Sequence, residues 1–306
     1  NYKVFASSNT GLFQKVEYSE DFKEWLELTD EEKEKVVQPR MYDILATNTS
    51  SRNLLYKARM LGASVNTQYN LNTIIPSNLT IRNQQQTYLC WALAALSSLE
   101  TNLALYNYKN VMNTSKIYDF SERHMEYATS KTFANNTENG FGYNRSVGDG
   151  GQWFIAESYL TNGSGAIDET EMPFENNNNT ISINEIQNKT VSSQVYDTVD
   201  FANYQNQTDA LKTEIMNEVK KHIQNYGSVF ASIHGNFLPT EDYACYNIST
   251  SAIYCNDETV YKADHAVSII GWDGNYSTVN FLESARPTSN GVWSIRKSWE
   301  ESGGEK

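Results

Sequence analysis

The 306-residue sequence predicts an α+β fold, with helices and strands in separate stretches of the chain. Three observations carry that expectation. The run Cys90-Trp91-Ala92-Leu93-Ala94-Ala95-Leu96 opens a long apolar helix. Gly227 to Ile233 and Ala266 to Trp272 read as strands. Between them, Asn176 to Asn179 and the Asn/Gln/Ser/Thr-rich stretch to about Ser193 read as a polar connector and a lobe boundary.

Composition narrows the class. Hydrophobic residues at 39% and charged residues at 20% describe a globular chain. The net charge of −13, with no basic stripe, argues against nucleic-acid binding. The longest wholly apolar run, Cys90 to Leu96, is far too short for a membrane span. No leader is visible at Asn1, and a processed chain would show none. Asn-x-Ser/Thr triplets such as Asn48-Thr49-Ser50 arise by chance in so Asn-rich a chain and establish no glycosylation.

The first stretch differs from the rest. Thr29-Asp30-Glu31-Glu32 has the form of a capping box, and the acidic helix it starts should stop before Pro39. Phe22, Trp25, Leu26 and Leu28 form an apolar patch with little sequence around it to build a core. Leu54 to Leu61 suits a second short helix. Such a segment must pack on something else to stay ordered.

The helix at Cys90 follows a polar loop, Arg82 to Thr87. Leu96, Leu99, Leu103 and Tyr106 fall on one face, and Trp91, Ala92, Ala94 and Ala95 keep the first turns apolar all round, as in a buried central helix. Cys90 then sits at the positive helix end, where unpaired N–H groups favour an anion and lower a thiol pKa. Ser121 suits an N-cap for a helix carrying His124, a structural histidine. Leu211, Ile215, Val219 and His222 mark one face of an amphipathic helix, with His222 a helix-end histidine. His234 ends a strand with no motif around it, and His265 opens one. Cys245 and Cys255 lie in a Tyr/Asn/Ser-rich loop or hairpin; a disulfide there suits an oxidising compartment, the rival being two unrelated thiols. Four scattered histidines and an isolated cysteine pair offer no metal-ligand spacing, and no cofactor motif occurs.

Several segments, in order, resemble the papain family of cysteine peptidases over roughly residues 69 to 306. Gln84 with Cys90-Trp91-Ala92 resembles the family's active-site segment, the C-G-S-C-W region. Pro76 to Asn83 resembles the extended N-terminal stretch of the mature enzyme. Phe120-Ser121-Glu122-Arg123-His124 resembles the L-S-E-Q helix start, and Gly148-Asp149-Gly150-Gly151-Gln152-Trp153 the glycine pair that binds substrate as an added strand. Gly165 to Phe174 resembles G-I-x-x-E-x-x-Y-P-Y. Asp264-His265-Ala266-Val267 with Gly271-Trp272 resembles the catalytic-histidine segment, and Trp293 to Lys306 resembles W-x-I-K-N-S-W-G-x-x-W-G-E-K.

The resemblance implies a papain-like two-lobe α+β fold: residues 1–67 a mostly helical inhibitory prosegment, 68–192 a helical lobe with Cys90, and 193–306 a β-barrel-like lobe with His265 that lacks the family's last strands, the sequence being truncated or the lobe incomplete. A spacer or interaction segment is the other reading of residues 1–67. The implied function is a secreted or cell-surface cysteine endopeptidase in zymogen form. Its partners would be a protein or peptide substrate and its own prosegment, with no cofactor. Cys90 would attack the peptide carbonyl and form a thioester while His265 carries the proton. The Cys90 N–H and the Gln84 amide would hold the oxyanion. Gly150, Gly151, Trp153 and Trp299 would bind substrate, Trp153 walling the pocket for the second residue before the cleaved bond and Trp299 shielding the histidine.

Four departures accompany the resemblance. Lys297 aligns with the asparagine that orients the histidine, and an ammonium offers no acceptor. Thr87 replaces the first cysteine of a family disulfide. Glu300 and Gly303 replace a Gly and a Trp. The chain stops at Lys306. Lys297 motivates a second reading, a papain-like binding or adhesion module without activity; a transglutaminase- or amidase-like acyl transfer is a third.

Overall fold

A computed structural model describes residues 65–298 except 80, 81, 86, 112–115, 134–139, 141, 175–180, 196, 197, 202–207, 236–244 and 256–262, together with residues 23, 24, 27–29 and 32. The chain divides into two units, residues 1–63 and 64–306. In the first, the expected capping box is present. The Thr29 N–H donates to Glu32 Oε2 at 2.9 Å, and the Glu32 N–H donates to Thr29 Oγ1 at 3.3 Å. Trp25, Leu26 and the stretch from Leu54 to Leu61 lie outside the described residues.

The second unit is built on α1 (Cys90–Asn110). Trp91, Ala92, Leu96, Thr101 and Leu105 on it are buried, whereas Tyr106, expected on the apolar face, is 63% exposed. The N-terminal half of α1 packs with α2 (Glu122–Ala128) and α3 (Trp153–Thr161) around Trp91, Leu96, Phe120, Met125 and Tyr159. Its C-terminal half, through Ala104 and Leu105, packs with α5 (Asp209–Tyr226) and the main sheet around Ile215, Val219, Ile223 and Trp272. One helix thus serves two cores. Each large apolar side chain it buries contributes roughly 1.5–3 kcal/mol.

The helical lobe keeps its expected cap: Ser121 Oγ accepts the His124 N–H at 3.0 Å. His124 is structural, with Nδ1 at 2.7 Å from the Tyr159 hydroxyl and Nε2 at 3.0 Å from the Ile186 carbonyl. Two expectations are corrected. Pro76–Asn78 is a 3₁₀ turn, not extended chain, because Pro76 at its first position has its φ preset for a helical turn. The polar connector contains a helix, α4 (Ile183–Gln187), started by a full capping box between Ser182 and Glu185. Ile181 and Ile186 hold that stretch against Tyr127, Phe133 and Met172.

Strand β7 (His265–Asp273) is the hub of the four-stranded main sheet. It pairs antiparallel with β4 (Val229–Ile233), with β8 (Val292–Arg296), and at its far end with β1 (Gln68–Asn70). Gly271 is required there, since a Cβ would stand 2.2 Å from the Tyr69 carbonyl oxygen. Among the described residues this sheet does not close into the expected barrel. Smaller parallel and antiparallel pairs complete the strands: β2 (Ser130–Thr132) with β3 (Tyr143–Ser146), and β5 (Tyr246–Asn247) with β6 (Ala252–Ile253). Cys245 and Cys255 bracket the β5–β6 hairpin and form a disulfide.

Charged groups are buried between helix and sheet. The Arg82 guanidinium meets Glu100 at 2.6 Å, Asp119 at 2.6 Å and Glu122 at 2.5 Å, while Arg296 donates to Ser97 Oγ at 3.1 Å. Burial pushes the Glu122 carboxyl up to about 7, against the pull of Arg82 and helped by repulsion from Glu100. Burial and then Glu122 push Glu169 up to about 8. The upward direction follows from the cluster, in which several carboxylates share few cations.

Both carboxyls hold a proton more tightly folded than unfolded, so their contribution is complete below about pH 4.5 and is lost as pH rises through about 7 and 8. His222 and His265, both lowered to about 4 by burial, act oppositely, and their contribution is complete above about 6.5. Between pH 6.5 and 8 the raised carboxyls lose their protons while the contribution of His222 and His265 is already complete, so the melting temperature should fall across that window. Glu122→Gln should flatten the slope. A melting temperature that rises from pH 6.5 to 8 would contradict the raised Glu122 and Glu169 carboxyls.

Candidate active site

Cys90 is the first residue of α1, and Leu89 before it supplies no side-chain cap. The opening N–H groups of the helix are therefore not taken by a capping side chain. The half-buried sulfur lies against β7. Burial is the strongest influence on the thiol and pushes it up. The N–H groups of Ala266, Trp91 and Cys90 itself act towards the thiolate, and the Asp264 carboxylate acts against it. The expectation of a lowered thiol is thus corrected: three peptide dipoles do not replace the water removed by packing.

His265 opens β7 and is 5% exposed. It packs against Gly235, where a Cβ would stand 2.3 Å from the histidine Cβ. Burial lowers the imidazole to about 4, with the Asp264 carboxylate pulling the other way. Burial thus disfavours the charged form of both groups. Asp264 is itself anchored by the Gly235 N–H at 2.7 Å, with His234 Nδ1 at 3.7 Å.

Gln84 is buried and doubly held. Its Nε2 donates to the Thr87 carbonyl at 2.6 Å, and its Oε1 accepts from the Ser298 hydroxyl. The Gln84 N–H also donates to the Ser298 carbonyl at 2.7 Å, tying the loop before Cys90 to the chain after β8. One amide hydrogen of Nε2 is used in this way, which leaves the second for another acceptor. Lys297 follows β8 and lines a small cavity with Cys90, Ala94, Ala266, Arg296 and Ser298.

The glycine pair has two different surroundings. A Cβ on Gly151 would stand 2.3 Å from the Trp91 ring, whereas one on Gly150 would meet nothing within 4 Å. Arg145 pins this turn: its guanidinium lies 5.1 Å from the Trp91 ring centroid, and its Nε donates to the Gly150 carbonyl at 3.3 Å. Trp153, 48% exposed, opens α3 and meets Phe154 edge-on at 5.8 Å. Trp299 lies outside the described residues.

Sequence reasoning brought Cys90, Gln84 and the segment of His265 to one region, and it missed Arg82, Arg145, Glu100, Arg296 and Ser298. Glu100, the one acidic residue in α1, is a readable sign of a buried charge partner. Ser298 carried no such sign, since its role depends on where β8 ends. Among the described residues no group of three or more His, Cys, Asp or Glu side chains could hold a metal ion.

The family model described as papain family cysteine protease matches residues 76–306, and the chain belongs to that family of hydrolases. Two solved structures of the clostridial protease Cwp84 are similar to it. One, a variant described as following propeptide cleavage, is 27% identical with a TM-score of 0.58, covering 76% of this chain and 50% of its own. The other contains the cysteine protease and lectin-like domains of Cwp84, described as a surface layer associated protein of Clostridium difficile. It is 25% identical with a TM-score of 0.58, covering 94% of this chain and 54% of its own. The chain thus spans about half the length of the Cwp84 structures it matches. Comparison with curated proteins gave no match. The two-lobe α+β fold is the papain-like one.

The direction of the thiol shift sets an expected pH profile. Iodoacetamide should alkylate Cys90 in the intact chain along a single limb that rises above pH 9. A rate plateau between pH 5 and 8 would reveal the ion pair instead. The glycine surroundings set a second expectation. Gly151→Ala must displace the Trp91 ring and should cost roughly 1–3 kcal/mol in denaturant unfolding, whereas Gly150→Ala should leave stability unchanged.

Proposed function

We propose that this chain is a cysteine endopeptidase held in a latent precursor state. Cys90 is the nucleophile and His265 the proton carrier. The thiol gives its proton to the imidazole as sulfur attacks the peptide carbonyl. The imidazolium protonates the departing amine, and the neutral ring then activates the water that hydrolyses the thioester. The Cys90 N–H and the remaining Gln84 amide hydrogen receive the oxyanion. Gly150 and Gly151 offer backbone to the substrate strand, Trp153 walls the neighbouring pocket, and Trp299 shields the histidine.

One observation carries this reading: the sulfur at an uncapped helix start lies under the N–H of Ala266, the residue that follows His265. The raised thiol and lowered imidazole act in the direction of latency, because burial disfavours both charged forms. Residues 1–67 are the inhibitory prosegment, residues 68–192 the helical lobe and residues 193–306 the β lobe. A propeptide is removed in the Cwp84 structure at 27% identity. The disulfide suits an oxidising compartment, and we assign the protein to the secreted or cell-surface space. No helix among the described residues is long and apolar enough to cross a membrane.

A second reading, an inactive papain-like binding module, draws on Lys297 at the usual asparagine position and on the raised thiol. Peptide cleavage decides between the two. The intact chain should be slow, proteolytic removal of residues 1–67 should raise the rate at least tenfold, and Cys90→Ala should abolish it. A processed chain that leaves every peptide in a random library intact would favour the binding module. An intact chain already as fast as the processed one would end the inhibitory role of residues 1–67.

A further inference from the structure

The turn that carries Gly150 and Gly151 is gripped by one arginine. Arg145, in β3, donates from Nε to the Gly150 carbonyl at 3.3 Å and from Nη2 to the Asp149 carbonyl. Its Nη1 donates to the Ser130 hydroxyl at 2.7 Å and to the Glu126 carbonyl at 3.3 Å, where α2 ends. Glu126 adds a second hold, its Oε1 accepting the Gly148 N–H at 2.9 Å. The same guanidinium lies over the Trp91 ring, 5.1 Å from its centroid. The buried Trp91 indole N–H has no hydrogen-bond partner among the described residues, so packing sets the place of that ring. No covalent tie helps here. Of the three cysteines in the chain, one is Cys90 and the other two bracket the β5–β6 hairpin.

Peptide geometry gives these contacts a consequence. The Gly150 carbonyl and the Gly151 N–H belong to one planar trans peptide, so they point in opposite directions. With the carbonyl turned to Arg145, the N–H is directed away from it, and it makes no hydrogen bond among the described residues. A substrate strand added at the glycine pair uses such an N–H as a donor. A charged donor on the carbonyl also polarises the peptide and strengthens its N–H. Gly151 itself lies on the Trp91 ring, one residue from Cys90.

We infer that Arg145 is a positioning residue for the substrate strand. By holding two consecutive carbonyls of the turn and the Trp91 ring at once, it aims the Gly151 N–H at the bound peptide. This deepens the peptidase reading and rests on it. The fork matters as much as the charge. A lysine has a single nitrogen and cannot span the carbonyls, the Ser130 hydroxyl and the ring face together. Arg145 acts through the Gly150–Gly151 peptide and not on the reacting atoms, so its loss falls on peptides long enough to reach the turn. One well-placed hydrogen bond corresponds to about tenfold in affinity.

Two substrates separate positioning from general damage. A tetrapeptide chosen from those that the processed chain cleaves extends along the glycine turn. An activated ester of a single acetylated amino acid acylates Cys90 without reaching it. The full chain, after the same limited proteolysis, is compared with Arg145→Gln and Arg145→Lys, and the melting temperature of each is measured. Both variants should raise KM for the tetrapeptide about tenfold, with its kcat and the ester rate within about twofold of the unaltered chain. If Arg145→Gln melts below the assay temperature, Arg145→Lys decides. An unchanged tetrapeptide KM, an Arg145→Lys chain equal to the unaltered one, or a parallel fall on both substrates overturns the inference and leaves the peptidase reading standing. Failure of both variants to fold assigns Arg145 to the fold itself and overturns the positioning role as well. An unaltered chain that cleaves no peptide and no ester overturns both readings.

Discussion

The structure depends on one helix being shared by two cores. The first turns of α1, through Trp91 and Leu96, pack against Tyr159 and the helices of one lobe, and its later turns lie under Trp272 and the sheet of the other. A surface helix with one apolar stripe could satisfy only one of these. This helix has small or apolar residues on most sides, and the few polar ones inside are spoken for. The Ser268 hydroxyl donates to the Ala94 carbonyl at 3.1 Å, and the Thr101 and Ser228 hydroxyls lie 2.9 Å apart. The first of these bonds fixes β7 across the start of α1 and the second ties the residue before β4 to its middle, and the register of β7 brings the residue after His265 to the Cys90 sulfur.

The same packing that assembles the site suppresses its charge. Burial raises the thiol and lowers the imidazole, and the nearest carboxylate, Asp264, helps only the imidazolium. Both shifts act against charge separation, so the pair is held back by the same exclusion of water that assembles it. Behind the pair, Arg82 and Arg296 neutralise the acids that the interface has buried, and Arg82 lies two residues before Gln84. The loop that carries the proposed oxyanion donor is thus anchored at one end by an ion cluster and at the other by Ser298.

Much of this is legible in the residues. The capping box at Thr29, the Ser121 N-cap, the buried helix at Cys90, the β7 run and the cysteine-bracketed hairpin all rest on short-range rules, and each is present. The departures have local causes. The connector is polar in composition, yet Ser182 and Glu185 form a capping box and isoleucines punctuate the stretch. Tyr106 fits the apolar periodicity, but in that turn Ala104 and Leu105 face the second core, which leaves Tyr106 on the solvent side. The barrel-like lobe rests on resemblance, and the described strands radiate from β7 without closing.

The sequence by itself determined the family, the order of helices and strands, the sulfur at a helix start and the cysteine pair, because each depends on residue type at fixed spacing. Tertiary structure alone decided the directions in which Cys90 and His265 are shifted, the partners of Gln84, and the difference between Gly150 and Gly151. Those properties depend on how much water is excluded and on which atoms from distant segments fill the space. Short-range pattern carries no information about either.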